Sequence, residues 1–438
     1  MTEVTLQDIL LAREERVAKQ KEFLAKYHCP LISFTMNIAG PLKTSPLIER
    51  GFQAGLRELE SLGFAILAKE VIYKATGCEG YFAVDMDAGA LKTLCTQIEE
   101  AIPLGRLFDM DVLDTGGRKL DRQGQRGCIV CGSPGRGCAA GRVHSVEELQ
   151  AATDKILREH FRPTDQAEIA DLAVRSLLEE VHITPKPGLV DKRNTGSHRD
   201  MDLSTFVASA NALRPYFAEC VAIGQDTASQ SPRETFQLLR QAGLQAEKVM
   251  FETTGGVNTH KGAIFTLGIL CGGVGRLWSA ESPVTSLTLL LKECATIGQA
   301  ATEDFSQMDG STAGQKLYLQ IGLRGIRGEV ADGLPAVKNI ALPALEEGLS
   351  KGLSLNDAAA CALIQLIAQV EDTNLYHRGG EEGATFAKEA AKALGKYPTI
   401  AQIETLDDIF ITQNLSPGGC ADLLAATCFL HYIIGDTL

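Results

Sequence analysis

The sequence predicts an α+β protein, with a mixed α/β N-terminal domain over residues 1–160 and an all-α domain over residues 161–438. The distribution of patterns predicts this division. Short apolar stretches of strand length precede residue 150, whereas the longer apolar runs beyond residue 165 recur with helical spacing. A chain of 438 residues that is 45% hydrophobic also exceeds the usual size of one domain and can bury substantial cores.

In the first domain, Asp8 to Lys26 and Pro46 to Leu62 have helical spacing, while Leu31 to Phe34, Ala65 to Leu67, Tyr81 to Val84 and Arg106 to Leu113 read as strands. The boundary is predicted near residues 150–165. There Phe161-Arg162-Pro163-Thr164 leads into Asp165-Gln166-Ala167-Glu168, a capping box that would open a helix ending near Val181. Helical runs follow at Leu203 to Ile223, Glu234 to Phe251, Lys261 to Leu277, Val284 to Thr302, Asn356 to Val370, Gly383 to Leu394 and Pro417 to Ile434. No comparable strand signal accompanies them.

The net charge of −13 comes mostly from the second part, which has 22 basic against 33 acidic residues, compared with 20 against 22 in residues 1–160. This balance excludes nonspecific nucleic-acid binding, which needs a basic surface to neutralise phosphates. Met1 to Asp8 lacks the basic and apolar regions of a signal peptide, and the uncharged span Gly262 to Gly275 is shorter than the roughly 20 residues of a membrane helix. The expectation is a cytoplasmic protein with no membrane partner, whose 12 cysteines are reduced thiols.

Gly105-Arg106-Leu107-Phe108-Asp109-Met110-Asp111-Val112 is the first chemical motif. In an extended strand, Asp109 and Asp111 share one face while Phe108, Met110 and Val112 enter the core. Paired carboxylates suit divalent metals that assist attack by a hydroxyl and departure of pyrophosphate. Asp85, Asp87 and Asp121 are equal candidates for a third carboxylate. Cys128, Cys131, Cys138 and His144 offer thiolate and imidazole ligands suited to zinc, but their spacing departs from standard zinc-finger patterns, so packed thiols are preferred. Arg118, Lys119, Arg122, Arg126, Arg136 and Arg142 surround them with positive charge, a face that could receive phosphate or recruit an acidic protein.

In the second domain, Ser416-Pro417-Gly418-Gly419 before an apolar run reads as a helix N-terminus whose free amides can bind phosphate. Lys186, Arg193, Lys261 and Arg378 are candidate phosphate ligands. Asp191, Asp200, Asp202, Glu371, Asp372 and Asp422 are candidates to coordinate magnesium or manage protons. Asn194, His198, Asn258, His260 and Gly379 complete the expected substrate-binding set. A P-loop motif is absent.

Leu31-Ile32-Ser33-Phe34-Thr35-Met36-Asn37-Ile38-Ala39-Gly40-Pro41, Thr76-Gly77-Cys78-Glu79 and Gly105 to Val112 resemble the family that transfers phosphoribosyl-dephospho-coenzyme A to apo-citrate lyase, with Ala39 where proline is expected. Thr184-Pro185-Lys186-Pro187-Gly188-Leu189-Val190-Asp191, Gly256 to Gly262, Glu371-Asp372-Thr373-Asn374 and Ser416 to Asp422 resemble triphosphoribosyl-dephospho-coenzyme A synthase. The resemblance implies a bifunctional maturation enzyme with a nucleotidyltransferase-like N-terminal domain. The C-terminal domain would join ATP to 3'-dephospho-coenzyme A with loss of adenine. The N-terminal domain would pass the nucleotide to a serine of the acyl carrier (gamma) subunit of citrate lyase, releasing pyrophosphate. It further implies magnesium at Asp109 and Asp111 and at Asp200, Asp202, Glu371 and Asp372, with Arg106 among the substrate ligands. Two alternatives stand beside it: maturation of malonate decarboxylase, and a metal-dependent phosphohydrolase or nucleosidase.

Overall fold

The computed structural model describes residues 3–435 except 123, 125, 134, 283–285 and 304–312, and excludes the side chains of Arg136, Ala139 and Ala313. The chain divides into two compact units, Met1–Thr164 and Asp165–Leu438.

The first unit contains α1 (Leu6–Tyr27), β1 (Leu31–Met36), α2 (Pro46–Ser61), β2 (Ile66–Ile72), β3 (Glu79–Val84), α3 (Ala88–Ala101), β4 (Phe108–Leu113), α4 (Gly135–Gly141) and the beginning of α5 (Val146–His182). The strands form one antiparallel sheet in the order β2-β3-β1-β4. Their alternation separates two faces. Phe34 stacks on Phe52 of α2 at 4.7 Å between ring centroids and meets Phe108 edge-on at 5.4 Å. Gly55 permits this approach, because a Cβ there would lie 2.5 Å from the Phe34 ring. On the opposite face, Leu31, Tyr81, Ala83 and Leu113 cluster with Phe23 of α1. Nearer its N-terminus α1 is held by charge: Arg16 pairs with Glu79 at 2.9 Å, Lys19 with Glu70 at 3.1 Å, and Glu15 with Lys74 at 2.8 Å.

As the edge strand, β4 would leave peptide groups unpaired, and α3 supplies partners for two of them. Glu99 accepts from the Met110 N–H at 2.8 Å, and Lys92 donates to the Met110 carbonyl at 2.9 Å. The expected strand from Arg106 to Leu113 is shorter than its apolar pattern suggested. Pro103–Leu107 forms a 3₁₀ turn, and extension begins at Phe108.

The second unit is helical, comprising the remainder of α5, then α6 (Leu203–Ala212), α7 (Arg214–Asp226), α8 (Pro232–Thr253), α9 (Lys261–Leu277), α10 (Leu287–Thr302), α11 (Ala313–Ile321), α12 (Gly325–Ala331), α13 (Leu342–Ser350), α14 (Leu355–Gln369), α15 (Thr373–Leu394), α16 (Ile400–Thr412) and α17 (Gly418–Gly435). The predicted capping box at Asp165 is overturned. Helix α5 continues through Pro163, and Asp165 is buried, accepting a hydrogen bond from Trp278 Nε1 at 2.7 Å. The run expected from Leu203 to Ile223 is two helices, broken beside Pro215, which has no N–H to continue the first ladder. Helix α15 starts earlier than expected and is kinked at Gly380, with φ of 64°. The start of the expected Val284 to Thr302 run lies outside the described residues.

Helix α9 packs against α7 at backbone distance through glycines on both. A Cβ at Gly275 would fall 2.2 Å from the Val221 carbonyl oxygen, and one at Gly224 would fall 2.1 Å from that of Gly272. Helix α17 is long and apolar enough to cross a membrane, with a mean hydropathy of 1.3 over 18 residues, yet 61% of that stretch is buried in the fold. Its core contacts account for its composition.

Phe34→Ala should destabilise the first unit by about 3–5 kcal/mol through loss of the stacked aromatic contacts. The single tryptophan, Trp278, lies in the second unit. Hydrogen exchange of the β1 and β4 amides is therefore the appropriate measurement, and faster exchange confined to the first unit is expected.

Candidate functional site

In the first unit, register aligns the polar residues. Thr35 of β1 pairs with Glu79 of β3 on one side and Asp109 of β4 on the other, while Ser33 pairs with Tyr81 and Asp111 in the adjacent row. Asp109 and Asp111 are part-buried on a common face between fully buried Phe108, Met110 and Val112. Burial pushes the Asp109 carboxyl up, and neighbouring Asp111 pushes it further, opposed by Lys119 and Arg126. Lys119 pairs with Asp111 at 2.5 Å. A cavity of about 180 Å³ adjoins Asp109, with Arg13 and Arg16 of α1, Lys43, Thr76 and Gly77 in its wall. Sequence reading missed these three cations because they precede the carboxylates by more than 60 residues. Glu79, 2% exposed and paired with Arg16, lies in the same row as Asp109; Asp87, a former candidate, instead caps α3.

The basic stretch is not the uniformly solvated face expected. Buried Glu99 pairs with Arg126 at 2.6 Å and with Arg122 at 3.4 Å, while Arg118 remains exposed. Arg122 and Arg126 therefore brace the aspartate strand through Glu99. The side chain of Arg136 lies outside the described residues. Arg106 donates to the Gly127 carbonyl at 2.5 Å, away from the cavity beside Asp109. Cys128, Cys131, Cys138 and His144 converge, one ligand atom from each lying within 4.8 Å of all the others.

The second unit holds a larger cavity of about 1150 Å³ at which α9, α15 and α17 begin. The amides at these helix starts carry partial positive charge. Asp372 accepts from Asn374 N at 2.7 Å in α15 and from Cys420 N at 2.8 Å in α17, tying two starts together. Asp422 accepts from the Ala263 amide of α9, and a Cβ at Gly262 would fall 1.9 Å from its Oδ2. Burial pushes the Asp422 carboxyl well above the usual range, with Glu180 and Asp372 adding to the effect; burial also raises Asp372. Gly418 and Gly419 leave space for Asn374 and Asp372, since Cβ atoms there would lie 2.5 and 3.0 Å from those side chains.

His198, Asp200, Lys186, Asn258, His260 and Lys261 line this cavity, as do Glu371, Asp372, Arg378, Ser416, Gly418, Gly419 and Asp422. Arg378 donates to His198 Nδ1 at 3.2 Å, leaving Nε2 to donate to Ser416 Oγ at 2.9 Å. Burial, then Arg378, pushes His198 down to about 4. His260 is pushed down to about 3 by burial and then Lys186; its Nδ1 lies 2.8 Å from Ser209 Oγ, while buried Nε2 has no hydrogen-bond partner. Lys186, 1% exposed, is committed to Glu180, including its carbonyl at 2.7 Å. Lys261 pairs with Glu247 at 2.8 Å.

Other expected residues occupy the supporting structure. Arg193 and Asn194 contact Asp407 at 2.6 and 2.8 Å, and Asp407 also accepts from Gly188 N at 2.9 Å, bracing the loop behind the cavity. Asp202 caps α6 and is held down at about 2 by Ser204 and then Thr205. Gly379 faces Leu415. Sequence reading missed Glu180, Arg324, Arg327 and Glu329 in the wall. The alternating glycines and charges of Arg324-Gly325-Ile326-Arg327-Gly328-Glu329 were the available signal.

Among the described residues, the cysteine-histidine cluster is the only three-or-more-ligand grouping within this spacing. The carboxylates of the large cavity do not form a ready three-ligand cage. Their hard oxygens fit a magnesium ion that would be held jointly by one or two side chains and substrate phosphates. The Asp109–Asp111 pair fits the same pattern, as a cation would offset the burial and the Asp111 repulsion that raise Asp109.

Residues 4–160 match the family described as apo-citrate lyase phosphoribosyl-dephospho-CoA transferase, and residues 166–437 match ATP:dephospho-CoA triphosphoribosyl transferase. The chain is 36% identical to Protein CitXG of Haemophilus influenzae, covering 99% of this chain and 97% of that protein. It is 32% identical to Protein CitXG of Leuconostoc mesenteroides subsp. cremoris, covering 99% and 98% respectively. A 2-(5''-triphosphoribosyl)-3'-dephosphocoenzyme-A synthase of Haemophilus ducreyi is 38% identical, covering 68% of this chain and 98% of that protein.

The depressed His260 pKa sets a direction for acid sensitivity. Because folding disfavours its proton, its stabilising contribution is present above the unfolded value of about 6.5 and is lost as pH falls toward the folded value of about 3. His260→Gln should therefore lose its disadvantage relative to wild type between pH 7 and pH 5. Urea unfolding followed by Trp278 fluorescence checks this; a pH-independent difference would exclude the assigned linkage.

Proposed function

This chain belongs to the ATP:dephospho-CoA triphosphoribosyl transferase and apo-citrate lyase phosphoribosyl-dephospho-CoA transferase families, and from that premise we propose how its residues carry the two reactions. The chain is a bifunctional transferase of citrate lyase maturation. Its second unit joins ATP to 3'-dephospho-coenzyme A with loss of adenine; its first transfers the resulting nucleotide to the lyase acyl carrier.

The convergence of three helix N-termini on one large cavity carries the reading for ribosyl transfer. Ligand cavities commonly span about 300–1,000 Å³, so this one has room for two nucleotide substrates. Arg378, Lys261, Arg324 and the amides beginning α9 and α17 neutralise the triphosphate, which remains intact. Asp200, Glu371 and Asp372 would hold magnesium, which would supply additional charge neutralisation for the phosphates. Asp202, Arg193 and Asn194 position the surrounding loops.

At C1' of the ATP ribose, the bond to adenine breaks and a bond to the 2'-oxygen of dephospho-coenzyme A forms. Asp422, kept protonated by burial and its acidic neighbours, donates a proton to the departing adenine. His260 Nε2–H donates to the oxygen of the attacking hydroxyl and orients it, while Asp200 accepts the hydroxyl's hydrogen bond and receives its proton. His198 positions Ser416 and Arg378 at the wall.

In the first unit, Asp109 and Asp111 would hold magnesium, which would stabilise negative charge at the reacting phosphate. Arg13, Arg16 and Lys43 receive the triphosphate in the cavity beside Asp109, and Glu79 fixes Arg16. The carrier serine attacks the innermost phosphorus and pyrophosphate departs. Arg106 supports the adjoining loop.

Asp109→Asn combined with Asp111→Asn should reduce carrier modification on the order of 10²-fold or more while adenine release continues. Asp422→Asn should do the reverse: adenine release falls on the order of 10²-fold or more, but transfer from supplied triphosphoribosyl-dephospho-coenzyme A persists. Adenine chromatography and carrier mass spectrometry measure the two steps. Loss of both in either folded variant would overturn the division of labour.

Asp422 also predicts the pH dependence. Its raised pKa means that the proton needed by adenine is present at low pH and lost as pH rises through that value. The single-turnover rate of adenine release should fall along a basic limb that is absent from the residual rate of Asp422→Asn. An unchanged basic limb in that variant would assign proton donation elsewhere.

A further inference from the structure

We propose that Cys128, Cys131, Cys138 and His144 form a zinc site that clamps the loop bracing the aspartate strand. Its first support is geometric. Zinc–sulfur bonds of about 2.3 Å and zinc–nitrogen bonds of about 2.0–2.1 Å place tetrahedral sulfurs about 3.8 Å apart and a sulfur about 3.6 Å from a nitrogen, within a few tenths of an ångström of the separations here. Cys131 Sγ lies 3.6 Å from Cys138 Sγ and 3.3 Å from His144 Nε2, and all four ligand atoms fit within 4.8 Å.

The local backbone is shaped around the sulfurs. Val130 N–H donates to Cys128 Sγ at 3.4 Å, Cys128 N–H donates to the Ser133 carbonyl at 2.6 Å, and Gly132 N–H donates to the Cys128 carbonyl at 2.9 Å. Gly132, immediately after Cys131, has φ of 74°, which allows the turn to return both thiols to one point. The loop closes through Gly135 N–H to the Arg126 carbonyl at 2.8 Å. On the histidine, Nδ1 lies 3.8 Å from Glu148 Oε2, longer than a hydrogen bond, and that oxygen accepts from Ser145 N–H at 2.8 Å.

The loop also needs a fastening that apolar packing does not supply. Among the described residues between Leu113 and Leu157, Cys128 alone belongs to the buried hydrophobic set. Yet this stretch supplies Arg122 and Arg126 to buried Glu99, and Glu99 holds the Met110 amide between Asp109 and Asp111. Arg106 grips the same loop through the Gly127 carbonyl. A metal binding four side chains would fix these arms without a hydrophobic core. Its role is structural, one layer behind the reacting groups.

Full-length protein prepared under reducing conditions without chelator should contain about one zinc per chain by elemental mass spectrometry. Cobalt replacement should give the visible bands of a tetrahedral ion and sulfur-to-metal charge transfer. Cys131→Ser with Cys138→Ser should lower zinc below about a tenth of an equivalent and slow carrier modification, while adenine release continues. If that variant fails to fold, His144→Cys provides the second arm, since a four-thiolate site should retain one zinc. Metal-free reduced wild type that takes up no added zinc, full zinc content in the double serine variant, or loss of zinc from folded His144→Cys would overturn the proposal. So would a native Cys131–Cys138 disulfide in freshly isolated, zinc-free protein.

Discussion

The second unit depends on how the starts of α9, α15 and α17 can share one cavity. Each contributes amides without intrahelical acceptors and the positive end of a helix dipole. Asp372 answers two of these starts and Asp422 the third. Taking the carboxylates out of water raises the energy of both anionic forms, and Glu180 and Asp372 raise Asp422 further, which is why both titrate high. The same electrostatic arrangement therefore supports both phosphate binding and retention of a proton. Glycine at 262 and 419 follows from this geometry, because each stands against one of the carboxylates.

The first unit solves a related problem with a sheet. Two rows of cross-strand partners align Asp109 with Thr35 and Glu79, and Asp111 with Ser33 and Tyr81. The edge strand is completed by side chains of α3, with Lys92 and Glu99 gripping the Met110 peptide. Precision at the aspartate pair consequently depends on groups that touch no substrate. The arginines that a linear reading assigned to an exposed binding face instead neutralise the buried Glu99 in that support.

What could be read from sequence had a local cause. Alternation across Phe108 to Val112 separated the aspartates from the core, and the apolar period of Lys261 to Leu277 marked α9. Tertiary partners defeated other local signals. Asp165 looked like a cap, but the indole of Trp278 claims its carboxylate, while Arg193 looked like a phosphate ligand, but Asp407 holds it from 214 residues away. Asp202 shows the converse, a carboxylate expected at the metal that local hydrogen bonds retain as a helix cap. The cavity cations Arg13, Arg16 and Lys43 carried no distinctive spacing because folding alone brings them beside Asp109.

The fastening of α1 differs along its length. Phe23 anchors its far end in an apolar cluster, while Arg16, Lys19 and Glu15 hold the portion beside the small cavity through ion pairs. Leu6, Leu10 and Leu11 are exposed and add little burial there. Apolar contacts survive added electrolyte, whereas the interactions of exposed charges weaken as the Debye length contracts from about 10 Å at 0.1 M salt to about 3 Å at 1 M. Ionic strength thus acts unevenly on one helix, loosening the more exposed Lys19–Glu70 and Glu15–Lys74 pairs while leaving the hydrophobic pivot and the Arg16 pair to buried Glu79 in place.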